Sequence, residues 1–212
     1  MKDHVLIREG LPTLGVLLIF TVILYLLYPA LAVIGIGLIL FVLFFFRDPK
    51  RNVIIDDKLV LAPADGLITN IEEVEENQYL KDKAIRVSIF MSPFDVHVNR
   101  SPISGTVDYL AYRKGKFISA TKPESHDVNE KNLIGITNGR KKVLVVQIAG
   151  IMARRIVNWT KIQQKLEQGE KIGMIKFSSG TQLFLPRSTE IMVKKGDKIQ
   201  AGKTIIGRFS ND

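Results

Sequence analysis

The most prominent pattern in the chain is an uncharged apolar run over residues 14–46, made almost entirely of Leu, Ile, Val, Phe, Ala and Gly. An α-helix rises about 1.5 Å per residue, so roughly 20 residues cross a bilayer core. The run is therefore long for one span and slightly short for two. Tyr28-Pro29 lies near its middle, where a proline breaks or kinks a helix. Two interpretations stay open, a tight hairpin of two helices and a single kinked, tilted helix, and the pattern favours the hairpin.

Basic residues flank this run on both sides. Arg8 precedes it, and Arg47, Lys50 and Arg51 follow it. A hairpin would place all four on one side of a membrane, and the positive-inside rule makes that side cytoplasmic. The run exceeds the roughly 7–15 apolar residues of a signal peptide core and lacks a convincing cleavage site. We therefore expect residues 1–50 to be a membrane-associated helical segment at the cell membrane.

Beyond residue 50 the apolar residues form short β-rich runs separated by turns. The clearest runs are residues 59–62, 84–90 and 142–148, whose composition and length are typical of strands. Asn138-Gly139 lies between two apolar runs and predicts a hairpin.

Two segments depart from this strand pattern. Apolar residues within 151–166 partly follow a helical period, which predicts a helix there. Residues 108–132 have few periodic apolar positions and many Lys, Ser, Asn and Glu, which predicts a long surface loop.

One weak internal repeat and one local resemblance indicate the architecture. Residues 62–68 and 101–107 share a Pro-x-x-Gly-x-hydrophobic pattern, and residues 195–207 resemble the turn of biotinyl or lipoyl carrier domains. We therefore predict a mainly β fold for residues 51–212, a barrel or sandwich of short strands of the biotinyl-lipoyl type, preceded by the hydrophobic helical hairpin.

The net charge of +9 favours an anionic partner. Nucleic acid is not favoured, because the basic residues are scattered and no nucleic-acid-binding motif is recognisable. Anionic lipid fits better for a chain that lies against a bilayer. The chain has no cysteine, which removes disulfides, thiolate catalysis and cysteine metal sites. Zinc and calcium motifs are also missing, so we predict no metal site.

A Ser-Ser pair near the C-terminus could carry unusual chemistry. The hydroxyl of Ser179 can attack the carbonyl of Ser178 and turn the amide into an ester. The ester oxygen can then leave the β-carbon of Ser179 by β-elimination. Ser179 then becomes a pyruvoyl group, a carbonyl electron sink made from the backbone. A Ser-Ser pair alone is weak evidence, because most such pairs belong to surface loops.

His97 and Asp65 are the candidate partners of that serine. An imidazole with a pKa near 6.5 can accept the serine proton and later return one. A carboxylate such as Asp65 can hold an imidazole in one tautomer and stabilise its charged form. The local sequence also fits ordinary structural roles, in which His97 is a structural histidine and Asp65 is a turn residue. From the residues alone, nothing shows that the three meet.

Three segments together resemble the short-form phosphatidylserine decarboxylases: residues 62–66 (APADG), 90–100 (FMSPFDVHVNR) and 173–186 (GMIKFSSGTQLFLP). The resemblance runs from about Phe44 to Phe209. It implies that Asp65, His97 and Ser179 form one catalytic site. It also implies cleavage between Ser178 and Ser179, with a pyruvoyl cofactor at Ser179 that forms a Schiff base with the substrate.

The resemblance further implies the biology. Phosphatidylserine from the lipid bilayer would be decarboxylated to phosphatidylethanolamine in phospholipid biosynthesis, by residues 51–212 acting as a catalytic domain on the cytoplasmic face. The two self-cleavage fragments would stay associated. One departure stands out: Ser178 occupies the place of the glycine in the family's usual Gly-Ser pair.

Two alternative functions stay open. A membrane-tethered, non-enzymatic adaptor of biotinyl-lipoyl type would explain the Gly-Asp turns, although the hairpin that carries biotin is missing. A decarboxylase of another serine lipid, such as archaetidylserine, would present the same reacting head group. A homodimer is also left open.

Overall fold

The computed structural model describes residues 8–118, 128–150, 155–176 and 179–210. The chain divides into two compact units, Met1–Lys50 and Arg51–Asp212.

The first unit contains two apolar helices, α1 (Leu11–Leu27) and α2 (Ala32–Phe45). A short 3-10 helix, Pro29–Leu31, joins them. Tyr28 is extended, with φ −158° and ψ 115°, because a residue before proline is pushed out of the helical region. The sequence prediction of a break at Tyr28-Pro29 is confirmed.

The helices α1 and α2 pack against each other where Gly35 meets Thr21. A β-carbon at Gly35 would lie 2.2 Å from the Thr21 hydroxyl oxygen, so the approach depends on glycine. The stretch Arg8–Leu27 is long and apolar enough to cross a membrane, with a mean hydropathy of 2.3, whereas Pro29–Phe45 is shorter. The hairpin, which the sequence favoured over one kinked helix, is the arrangement observed.

The second unit is mainly β, as predicted. Its described residues form fourteen strands: β1 (Leu59–Leu61), β2 (Gly66–Glu76), β3 (Asp82–Met91), β4 (Val98–Arg100), β5 (Gly105–Arg113), β6 (Lys131–Thr137), β7 (Lys142–Ala149), β8 (Ile156–Asn158), β9 (Lys165–Leu166), β10 (Lys171–Ile175), β11 (Ser179–Pro186), β12 (Glu190–Ile191), β13 (Lys198–Ile199) and β14 (Ile205–Arg208). An eight-stranded sheet has the order β13-β2-β3-β11-β7-β6-β5-β9. Two three-stranded sheets have the orders β1-β14-β12 and β4-β10-β8.

These strand orders show that the unit is built from two equivalent halves. Strands β4 to β10 form one half, which we call the inserted half, because it lies in the chain between β3 and β11. Strands β1 to β3 and β11 to β14 form the other, which we call the interrupted half. The counterparts are β1 and β4, β2 and β5, β3 and β6, β11 and β7, β12 and β8, β13 and β9, and β14 and β10. If every strand of the large sheet is replaced by its counterpart, the strand order is reversed but otherwise unchanged. The strands β11 and β7 are paired at the centre of this symmetric sheet.

Strand registers support the equivalence residue by residue. Gly66 pairs with Ile199 in one half, and Gly105 pairs with Leu166 in the other. The β2–β3 pairing has a bulge after Ile68, and the β5–β6 pairing has the corresponding bulge after Val107. The sequence repeat of residues 62–68 and 101–107 is therefore the visible trace of a duplicated structure.

Close backbone approach explains why glycine begins both β2 and β5. A β-carbon on Gly66 would lie 2.2 Å from the Phe90 carbonyl oxygen, and one on Gly105 would lie 2.5 Å from that of Thr137. The core between the sheets is filled from both halves by β-branched and aliphatic side chains, including Val60, Ile89, Ile136 and Val143.

The predicted hairpin at Asn138-Gly139 is confirmed as the connection between β6 and β7. Asn138 accepts hydrogen bonds from the backbone N–H groups of Arg140 and Lys141 at 3.2 and 2.8 Å. Gly139 has φ +88°, a conformation that favours glycine.

One sequence prediction is wrong, and another is wrong in part. The helix predicted within residues 151–166 is replaced by β8 and β9, because Ile156 and Val157 pair with β10, and β-branched residues suit strands. Residues 151–154 of that prediction lie outside the described residues. The loop predicted over residues 108–132 begins later, because β5 continues to Arg113 and pairs with β6. Residues 119–127 also lie outside the described part.

Candidate active site

Ser179 is the first residue of β11, at one end of the central pair of strands. It pairs with Met91 at the end of β3 and with Ala149 at the end of β7. Pairing with β3 on one side and β7 on the other therefore holds the backbone of Ser179 at the end of its strand. Ser178, the predicted acyl donor, lies outside the described residues.

His97 lies near the same end of β11, which we call the Ser179 corner, because its backbone is hydrogen-bonded to β10. The Ile175 N–H donates a hydrogen bond of 3.3 Å to the His97 carbonyl oxygen. Ser179 lies four positions after Ile175 in the chain, and such a length spans at most about 14 Å. From the other side, His97 lies six positions after Met91, the pairing partner of Ser179. The fold thus brings two of the predicted site residues to one corner.

The surroundings of His97 select its tautomer. The side chain is fully buried, and Nδ1 lies 3.0 Å from the Asp95 carbonyl oxygen. A carbonyl oxygen only accepts hydrogen bonds, so Nδ1 carries the proton and donates it. In the neutral ring, Nε2 then has the lone pair that a general base needs.

A tight turn positions that carbonyl group. The Ser92 N–H donates to Oδ2 of Asp95 at 2.8 Å, and the Asp95 N–H donates to the Ser92 carbonyl at 2.9 Å. The turn follows Met91 directly. One short segment therefore joins the pairing partner of Ser179 to the group that orients His97.

Asp65 lies in the turn between β1 and β2. Its Oδ1 accepts a 2.8 Å hydrogen bond from the Ala201 N–H, and its Oδ2 accepts one of 2.7 Å from Arg51. The side chains of Arg51 and Asp65 are only 8% and 11% exposed. Among the described residues, the Asp65 carboxylate bonds to these two groups rather than to His97. Direct support of the imidazole by Asp65 stays a prediction.

Burial dominates the electrostatics of this carboxyl group. Loss of water raises the pKa of Asp65 above its usual value, the Ala201 N–H and Arg51 oppose that rise, and the Asp95 carboxylate adds to it. Arg51 is the nearest compensating cation, so it favours the ionised form.

A cleft of about 630 Å³ opens beside Asp65. Its walls combine apolar Leu67 and Phe90 with two basic residues, Lys198 and Lys203. Ser92 and Asp95 also line it, which connects the cleft to the turn that orients His97. Such a mixture can accommodate a ligand with an anionic group next to an apolar part.

Sequence reasoning missed several residues at this corner. Arg51 was interpreted only as a membrane-flanking charge, although it pairs with Asp65 in the second unit. The hydrogen bonds that join the buried amide side chains of Asn99, Gln147 and Asn132 were not anticipated from the sequence. A polar residue inside an apolar strand, as in the run around Gln147, was the available signal.

Comparison with known proteins decides the family. The family model described as "Phosphatidylserine decarboxylase" matches residues 38–207. The chain belongs to the phosphatidylserine decarboxylase family. The resemblance noted from three short segments therefore extends over most of the protein.

Individual members of the phosphatidylserine decarboxylase family match along nearly the whole chain. A phosphatidylserine decarboxylase proenzyme of Carboxydothermus hydrogenoformans is 47% identical over 211 residues, which cover 99% of each chain. A proenzyme of the same name from Symbiobacterium thermophilum is 44% identical over 210 residues, covering 99% of this chain and 98% of the relative. The match includes the apolar helices as well as the β unit.

Proposed function

We propose that this chain is a self-processing, pyruvoyl-dependent decarboxylase that converts phosphatidylserine to phosphatidylethanolamine in phospholipid biosynthesis. The observation that carries the proposal is the strand register. It holds Ser179 between Met91 and Ala149, at the corner that His97 reaches through Ile175. The names of the relatives, which are proenzymes of this activity, support it.

Self-processing begins with attack of the Ser179 hydroxyl oxygen on the Ser178 carbonyl carbon. The C–N bond breaks, the nitrogen gains a proton, and an ester joins the two residues. Removal of the α-proton of Ser179 then expels the ester oxygen from its β-carbon, so the Cβ–O bond breaks, a Cα=Cβ double bond forms and Ser178 is left as a carboxylate. The resulting dehydroalanine adds water, loses ammonia and becomes pyruvoyl. The fragments are residues 1–178 and 179–212.

His97 is the proposed base for this sequence and the acid for decarboxylation. Its neutral ring, protonated at Nδ1 by virtue of the Asp95 carbonyl, presents Nε2 as the proton acceptor. The same nitrogen can later return a proton to the substrate carbon. Asp65 is proposed to support these steps by its charge, and Arg51 keeps that charge in place.

The residues around the corner fit a pyruvoyl group derived from Ser179. Such a group supplies a carbonyl that takes the substrate amine and accepts the electrons freed when carbon dioxide leaves. The cleft beside Asp65 is proposed to hold the lipid head group, with Lys198 and Lys203 facing the phosphate. Leu67 and Phe90 offer apolar surface to the start of the acyl chains.

The first unit is proposed to attach the enzyme to the cell membrane. Its helices leave many large apolar side chains exposed, such as Leu26, which is 75% exposed. The flanking Arg8, Arg47 and Lys50 favour a cytoplasmic position for the ends of the hairpin. Extraction that requires detergent, together with protease sensitivity in inverted but not right-side-out vesicles, would support this topology. Digestion from the outer face would contradict it.

Intact-mass measurement of the purified protein tests the function. Wild-type protein should consist of two fragments, the smaller one beginning with pyruvoyl and lacking a free amine. It should release carbon dioxide from phosphatidylserine, and cyanoborohydride with substrate should label the small fragment and abolish activity. An ether-linked archaetidylserine assayed in parallel decides the lipid backbone.

Ser179→Ala is the matching negative variant. It should remain one chain without decarboxylase activity. Ser178→Gly should speed processing, because glycine relaxes the backbone at the cleavage point. A wild-type protein that stays a single chain and still decarboxylates at full rate would overturn the proposal.

A further inference from the structure

A chain of buried polar side chains crosses the core just below the Ser179 corner. Gln147 donates from Nε2 to Oδ1 of Asn99 at 2.8 Å, and Asn132 donates from Nδ2 to Oε1 of Gln147 at 2.8 Å. Asn99 donates from Nδ2 to the hydroxyl oxygen of Thr181 at 3.2 Å. We call these four residues the amide cluster. Each is no more than 3% exposed.

The amide cluster connects the strands that carry the proposed site. Asn99 lies in β4, two residues after His97, and Thr181 lies in β11, two residues after Ser179. Gln147 pairs with Thr181 across the centre of the large sheet. Two residues along a strand correspond to about 7 Å. The hydrogen bond between Asn99 and Thr181 therefore ties the His97 segment to the Ser179 strand close to both residues.

The other end of the core shows that the fold does not need such a cluster. Asn99 pairs with Gly173, and its counterpart Val60 pairs with Gly207. Thr181 pairs with Ile89. The counterpart of Thr181 is Val143, which pairs with Ile136.

The other two residues of the amide cluster, Asn132 and Gln147, also have apolar counterparts. Asn132 pairs with Gln147, and their counterparts Ile85 and Leu185 pair with each other. All four positions are thus apolar at the equivalent end of the same core.

Buried amides and hydroxyls are costly unless every partner is in place, and apolar replacements of similar size are often neutral or stabilising. Since the counterpart end folds with Val, Leu and Ile at these positions, stability does not account for the amide cluster. A network with fixed donor and acceptor directions does, however, specify one relative placement of the strands that it joins.

We propose that the amide cluster is a positioning device for self-processing, which holds the His97 segment and the Ser179 strand in one register through the Asn99–Thr181 hydrogen bond. The inference rests on the proposed function. Asn99 and Thr181 act through His97 and Ser179 and are positioning residues.

Thr181→Val is the decisive variant, because it copies the counterpart Val143 and keeps the side-chain volume. Asn99 retains a hydrogen bond of 3.3 Å to the Pro63 carbonyl, so its amide keeps a partner. The full-length chain is made by cell-free translation with lipid vesicles, and the appearance of fragment 179–212 is followed by pulse-chase. Processing should be at least tenfold slower, while the melting temperature of the Ser179→Ala form stays equal or rises.

Val143→Thr is the matched control at the counterpart position. It places a hydroxyl in apolar surroundings and should lower the melting temperature, yet processing should keep the wild-type rate. Thr181→Ser restores the hydroxyl and should recover processing to within about threefold, despite the lost methyl group. These opposite responses separate positioning from stability.

The outcomes distinguish failure of the proposed function from failure of the amide-cluster role. A wild-type chain that never splits overturns the proposed function and this inference with it. A wild-type chain that splits, together with a Thr181→Val chain that splits equally fast, overturns only the role of the amide cluster. Loss of processing in Val143→Thr in step with its melting temperature would also overturn it, because stability alone would then set the rate.

Discussion

The interrupted half and the inserted half use one backbone plan with different chemistry at corresponding corners. In the interrupted half, Asp65 accepts a hydrogen bond from the Ala201 N–H at 2.8 Å. In the inserted half, Ser104 accepts the corresponding bond from the Gln168 N–H at 3.1 Å. An uncharged hydroxyl is therefore sufficient to hold this turn. The charge of Asp65, and the Arg51 that pairs with it, serve something other than the turn.

The clefts beside these corners differ in the same way. The cleft next to Asp65 has Leu67 and Phe90 on its walls. A cleft of about 690 Å³ next to Ser104 has Thr106 and Thr137 at the counterpart positions. Both clefts keep a lysine at the equivalent point, Lys198 in one and Lys165 in the other. The two clefts therefore share one backbone frame, and the cleft beside Asp65 combines it with an apolar wall and a buried charge pair.

The largest expected difference between the halves concerns His97 and its counterpart Lys58. Both carbonyl groups accept an equivalent backbone hydrogen bond, from Ile175 and Phe209 respectively. His97→Ala should slow self-processing by roughly 10²–10⁴-fold, because a general base is lost. Lys58→Ala should process at the wild-type rate. Pulse-chase of both full-length chains gives the comparison, and normal maturation of His97→Ala would remove the imidazole from the mechanism.

An intermediate effect is expected when the interrupted half receives the serine of the inserted half. Asp65→Ser should lower the free energy of unfolding by roughly 3 kcal/mol, because it leaves the Arg51 cation buried without its carboxylate. Ser104→Ala should cost only about 1 kcal/mol, the net value of one hydrogen bond. Urea unfolding in detergent, in the Ser179→Ala background, measures both.

Adding Arg51→Met to Asp65→Ser sharpens this test, since it removes the stranded cation. Most of the lost stability should return, while self-processing, measured with Ser179 present, should remain slow. If Asp65→Ser were no more destabilised than Ser104→Ala, the charge pair would have no energetic role in the folded protein.

The smallest expected difference is in pH dependence. The raised pKa of Asp65 means that the folded state binds the carboxyl proton more tightly than the unfolded state. Its contribution to stability is therefore greatest below the unfolded pKa of about 3.9. It declines as pH rises through the raised pKa. Asp65→Asn should remove this decline, whereas Ser104→Ala, which changes no ionisable group, should leave it intact; unfolding curves at a series of pH values provide the measurement.

The parts of the fold that depend on neighbours in sequence were predictable. The Asn138-Gly139 turn and the break at Tyr28-Pro29 are local, because the residues that cause them also form them. The strand Ile156–Asn158 was mistaken for helix because its partner, β10, lies outside any local window. Short apolar segments of this kind take their structure from pairing.

The site was predictable as a set of residues but not as a set of contacts. Ser179, His97 and Asp65 could be named from motifs, yet the partners of Asp65 are Arg51 and a backbone group 136 residues away. The amide cluster joins residues 48 and 82 positions apart. No periodicity encodes such distances, and only the unexplained polar residues in apolar strands hinted at them.

The insertion of one half into the other also bears on whether folding or the proposed cleavage comes first. Strand β11 is hydrogen-bonded on one side to β3 and on the other to β7, and both of these belong to the fragment before the proposed cut. Folding must therefore come first, while the chain is still continuous. After the proposed cut, the small fragment would remain paired with strands of the large one, and refolding from the fully unfolded state would require two chains to associate, at a rate that depends on their concentration. Activation would then be a one-way step that the mature enzyme cannot readily retrace.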